Sequence, residues 1–189
     1  MKNHINYILV IMILFISAKA SILAISPIFV LSSFMFTTSI FIFFNYKVDK
    51  LFIFFTVAYF LISFIYFLKF EYVDILYIFY YYLLLCYAYM TIKIVKFDFF
   101  KIFHNIVYSL ALLSIPLFLL QLIMFDSIFD FIGIIQNSIS PLAFKNEVFA
   151  SNFLFTIDKT GAIYRNSGFA WEPKGFSNFL ILAMIINTN

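Results

Sequence analysis

An all-α, multi-pass transmembrane fold is what this sequence predicts, and three observations carry the prediction. Hydrophobic residues fill 65% of the 189 positions and charged residues only 11%, against about 25% charged in an average soluble domain. Mean hydropathy is +1.06, too high for a water-soluble core to hide the apolar surface, so the solvent has to be lipid. The apolar residues run in long stretches without the alternation of strands, and an open sheet edge is not viable in a bilayer.

Six hydrophobic segments follow in order. The first, residues 5–18, also reads as a secretory signal, with Lys2 as the basic start and Ala18-Lys19-Ala20 as a small-x-small cleavage site. A second apolar run follows almost at once and favours an uncleaved first helix. That run, 22–44, carries Pro27 near its start, where a missing N–H costs little. The third and fourth are 51–68 and 72–92. The fifth, 102–124, contains Pro116, a kink position. The sixth opens near Gly175 and is still running at Asn189. About twenty residues are needed to cross the hydrocarbon, so the first is marginal and the last incomplete.

The short loops set an orientation. With the N-terminus in the cytoplasm, the inner loops carry Lys2, Lys47, Lys50, Lys93, Lys96 and Lys101, and the outer ones only Lys19 and Lys69. The chain then divides into five membrane helices over 1–124, an extracytoplasmic loop over 125–174, and the start of a sixth helix over 175–189. The long loop holds or borders all four glycines, Gly133, Gly161, Gly168 and Gly175. Within it, 127–139 suits a helix lying in the membrane interface. Residues 153–157 and 162–164 suit a hairpin turning at Asp158-Lys159-Thr160-Gly161. The tyrosines Tyr77, Tyr80, Tyr81, Tyr82, Tyr87 and Tyr89 read as interfacial anchors and packing.

Other chemistry is sparse. Cys86 is the only cysteine, which excludes an internal disulfide and a thiolate zinc site and suits a buried, unreactive thiol. His4 and His104 are far apart, with no carboxylate cluster to complete a metal site, and no cofactor is implied. Asp126 and Asp130 share a helical face as a solvated edge, and Gln121 suits a hydrogen bond between helices. The net charge of +3 is spread out and points to no nucleic acid.

Charge, turn residues and an aromatic concentrate at 165–175, which reads Arg165-Asn-Ser-Gly168-Phe-Ala-Trp171-Glu172-Pro173-Lys174-Gly175. Arg165 has the planar fork of donors that suits a phosphate. Glu172 could orient it, hold a sugar hydroxyl, or act as a base; an ordinary loop ion pair explains the two equally from spacing alone. Placement favours ligand chemistry, since Glu172-Pro173 precedes a helix whose first N–H groups attract anions. Lys145 and Lys159 could assist a phosphate or be solvated loop charges.

These residues, running into Phe176 and the Leu180-Ile-Leu run, resemble the signature of the O-antigen polymerase and O-antigen ligase family. In that family an R-x-x-G-x-F-x-E-P-G-x-F-like pattern closes an outer loop and opens the next helix. Lys174 stands where many relatives have glycine, and Trp171 lies one step nearer the acid than in a strict copy. The resemblance covers about a dozen residues and the hydropathy before them. It implies a membrane-embedded, lipid-donor (GT-C-like) glycosyltransferase of the bacterial inner membrane, of which this chain is the first half. It implies oligosaccharide transfer from polyprenyl pyrophosphate to a sugar hydroxyl in surface-polysaccharide assembly, beside other membrane proteins of that assembly. Arg165 and Glu172 would be catalytic, and Arg165, Gly168, Trp171, Lys174 and Lys159 would bind substrate. A lipid-linked sugar flippase and an inactive fragment are the competing readings. A flippase wants charges inside its helices, and these runs are nearly charge-free.

A topology reporter fused at Lys145 is expected to read as extracytoplasmic. A cytoplasmic signal there would reverse the orientation.

Overall fold

The fold comes from a computed structural model, which describes residues 2–18, 27–70, 75–139, 149–151, 155–158, 166–168, 170 and 173–187. Seven helices occur among them: α1 Lys2–Ala18, α2 Pro27–Phe43, α3 Lys50–Phe70, α4 Ile75–Val95, α5 Asp98–Ile123, α6 Phe125–Ile139 and α7 Pro173–Asn187. A single antiparallel pair joins β1, Phe149–Ser151, to β2, Thr156–Asp158.

Three stretches are long and apolar enough to cross a membrane: Lys50–Lys69, Ile78–Val95 and Asp98–Ile123. His4–Ala18, Ile28–Phe43 and Gly175–Ile186 are apolar but shorter. Large apolar side chains around α3, among them Leu51, Ile53, Phe54, Phe55, Val57, Leu61, Ile62 and Ile65, are exposed. A helix that is apolar all round is covered by protein or by lipid, and among the described residues no protein covers these outward side chains.

The chain forms two units, one of residues 33–96 and one of residues 1–32 with 97–189. In the first, α2 ends in a Schellman motif. Asn45 takes the left-handed conformation (φ 52°), its N–H donates to the Ile42 carbonyl, and the Tyr46 N–H reaches back to Phe41. Asn tolerates that conformation better than most residues. The Phe41 and Tyr46 rings, 5.5 Å apart, supply the apolar contact that accompanies such caps.

Helices α3 and α4 of this unit pair antiparallel through aromatic contacts. Phe52 stacks on Tyr89 at 3.9 Å, Tyr82 meets Tyr59 and Phe60, and the Tyr59 hydroxyl donates to the Ile78 carbonyl at 2.8 Å. Such ring pairs contribute about 0.5–1.5 kcal/mol each beyond their burial. The tyrosine run therefore acts mainly in packing. Where α3 begins, the Asp49 N–H donates to the Tyr89 hydroxyl, which donates in turn to the Asp49 carboxylate, and Lys93 Nζ donates to the same carboxylate at 2.6 Å.

In the second unit α1 and α7 each pack on α5, and α6 packs on both α5 and β1. Leu9, Val10 and Leu14 of α1 and Phe103, Val107 and Leu110 of α5 are buried. Ile132 of α6 forms a second small core with Phe155 and Ile157, flanked by Leu117 and Phe118 of α5. One residue, Met124, separates α5 from α6, its N–H donating to Leu120 and its carbonyl accepting from Ile128. Helix α5 runs unbroken through Pro116. Asp126 and Asp130 are exposed on α6, a solvated edge.

Strand β2 pairs with residues that precede it, Ala150 opposite Ile157. The alternating Phe155 and Ile157 side chains bury against α6, and a partner at 149–151 extends that face over the helix. The expected turn and the 162–164 strand lie outside the described residues. Gln121 forms no hydrogen bond through Oε1 to any described group, although it is buried.

The Lys93 ammonium, and after it the Tyr89 hydroxyl, hold the Asp49 carboxyl below its ordinary value of 3.8. A lowered folded-state value favours the charged carboxylate, so its stabilisation is complete above about pH 3.8 and lost as pH falls through the folded value. In detergent, wild type is expected to melt above Asp49→Asn at neutral pH, with the gap closing below pH 3.8. A gap that persists in acid would show that the carboxylate is not the source.

Candidate functional site

The described part of the charged stretch is a turn over 166–168 with Ala170, followed by α7. Asn166 organises it. Its Nδ2 donates to the Ser114 Oγ of α5 at 3.1 Å, and its Oδ1 accepts the Gly168 N–H at 2.9 Å. Ser114 completes its own bonding by donating to the Ala111 carbonyl at 2.8 Å. The Gly168 carbonyl accepts the Thr156 N–H of β2 at 2.9 Å, and the Ala170 N–H donates to Ser167 at 3.0 Å. One asparagine side chain thus links the turn to the membrane helix, while the turn's own backbone links to the sheet.

Gly168 is required by geometry. It lies in the left-handed region (φ +50°), and a Cβ there would come within 2.8 Å of the Phe176 ring. Phe176 is in the first turns of α7, so glycine lets the turn close onto the helix that follows. At Gly175, by contrast, a Cβ would meet the Ala170 Cβ at an ordinary 3.6 Å.

Helix α7 starts at Pro173, whose missing N–H suits the first helical position. The N–H groups of its first turn have no partner inside the helix and carry the positive end of its dipole. Lys174 belongs to that first turn. Arg165, Trp171, Glu172, Lys159 and Lys145 lie outside the described residues, as does the Lys174 side chain. Of the site residues expected from sequence, the structure therefore positions Gly168 and the backbone of Lys174. His104 ties two helices, its Nδ1 lying 3.0 Å from the Ala183 carbonyl of α7.

Three residues without an assigned role emerge here: Ser114, Asn166 and Ser167. Ser114 and Ser167 are buried. The available signal was Ser114 itself, one of two serines in a mostly apolar span, and an asparagine beside the single arginine.

Gly168→Ala would add left-handed strain of about 1–2 kcal/mol and the contact with Phe176, so a lowered melting temperature is expected. Adding Phe176→Leu should recover part of the loss, because it relieves the contact and leaves the strain. Full stability of Gly168→Ala alone would contradict the geometry.

Compared with family models, with curated proteins and with solved structures, the chain finds no match in any of the three.

Proposed function

We propose that this chain acts as a membrane glycosyltransferase of the O-antigen polymerase or ligase type. In this reading six helices cross the bacterial inner membrane with the N-terminus in the cytoplasm, and the 125–174 loop faces outward. The observation that carries the reading is the Arg165–Glu172 stretch entering an apolar helix, with Gly168 left-handed against Phe176 of that helix. That arrangement suits a loop whose charged residues must be held in one place beside the positive end of α7.

The chemistry proposed is displacement at an anomeric carbon. An acceptor sugar hydroxyl attacks, the bond to pyrophosphate breaks, and its electron pair leaves on the phosphate oxygen. Arg165 takes up that charge as it develops, the kind of electrostatic help that commonly lowers a barrier most. Glu172 receives the hydroxyl proton as the new bond forms. The leaving group is already a pyrophosphate, so the residues named suffice for its departure.

In the complete protein, Arg165→Ala is expected to abolish long polysaccharide while leaving membrane insertion intact. Arg165→Lys should keep only part of the activity, because an ammonium is a point charge without the paired donors. Wild-type chain length with Arg165→Ala would defeat the assignment.

A further inference from the structure

The depth of the 166–168 turn can be read against α5. Helix α7 runs antiparallel to α5: its start lies near Ser114, through the Asn166 bond to Ser114 and the close approach of Gly168 to Phe176, and its far part lies by His104, whose Nδ1 is 3.0 Å from the Ala183 carbonyl. From His104 to Ser114, and from Ala183 back to Pro173, the helices each rise about 15 Å. Pro173 thus begins α7 level with Ser114, where Asn166 is bound.

Helix α5 has 26 residues, about 39 Å of helix against about 30 Å of hydrocarbon. With the hydrocarbon centred on that helix, Ser114 lies about 5 Å from the mid-plane and about 10 Å inside the boundary on the α6 side. A loop lying on the aqueous face would be wet. Here Ser167 is 4% exposed and Ala170 1%, and Ser114, Asn166 and Thr156 satisfy the turn. Irregular backbone at membrane depth is tolerated where protein buries it in this way. Seven residues beyond Ser114 on the same side of α5, Gln121 is 1% exposed with an acceptor that no described group fills. A polar lining therefore continues from the turn toward the boundary.

We propose that residues 166–168 form a re-entrant turn inside the hydrocarbon layer, held there by Ser114, which is thereby a positioning residue for the adjoining Arg165. The depth rests on a bilayer centred on α5; the role toward Arg165 rests on the transferase reading.

Trp171, the only tryptophan, adjoins the turn and reports its depth in proteoliposomes of the complete protein. Lipids brominated near the chain end should quench it more than lipids brominated near the headgroup, and acrylamide should quench it weakly. A maximum at the headgroup, where tryptophans usually sit, would overturn the re-entrant placement. Should every quencher miss it, cross-linking decides, in a Cys86→Ser background. Asn166→Cys should join Ser114→Cys and not Ile123→Cys; the reverse, or no product, overturns the proposal. Ser114→Ala should move the Trp171 profile outward and shorten the polysaccharide several-fold, and Ser114→Thr should restore both. An unmoved profile would remove Ser114 as the positioning group. A moved profile with normal polysaccharide would leave the depth standing and sink the transferase reading.

Discussion

The second unit depends on a short series of hydrogen bonds running from the Ala111 carbonyl through Ser114 Oγ and the Asn166 side chain to the Gly168 N–H. An irregular segment packed on an apolar helix has no water to satisfy its polar groups, and an unmet buried group costs about 1–3 kcal/mol. Asn166 meets this constraint because one amide offers a donor and an acceptor on opposite sides. Ser114 meets it because a hydroxyl can donate and accept together. The Gly168 carbonyl, turned away by the left-handed backbone, is taken by Thr156. The turn, the sheet and α5 are thus fixed by few atoms, and the entry into α7 follows from them.

The rest of the molecule is held by weaker and more numerous contacts. Lipid is as apolar as leucine, so burial from solvent drives little helix association in a membrane, and dispersion, close packing and scattered polar bonds remain. The α3–α4 pair shows this: aromatic rings meet along its length, and an ionic tie, Asp49 with Lys93, lies where α3 begins. The outward side chains of α3 need no protein partner. In the other unit α1 and α7 pack on α5, and His104 adds a polar contact to the latter pair. Placing the charged residues of α3, α4 and α5 near their ends leaves the spans apolar enough to remain in lipid.

Composition and run length by themselves determined the helical membrane class and the position of each helix to within a few residues, because every backbone group in lipid must be bonded within its own segment. The α6 helix and the start of α7 at Pro173 were legible for the same reason, from an amphipathic run and from a proline preceding an apolar one. The need for glycine at 168 was suggested by the motif and settled by Phe176, a contact across eight residues that no local pattern encodes. The partner of β2, the Ser114 to Asn166 bond and the open acceptor of Gln121 were decided by tertiary structure alone. Each depends on which side of α5 faces the returning chain. A span apolar on every side does not announce that face until its neighbours have packed.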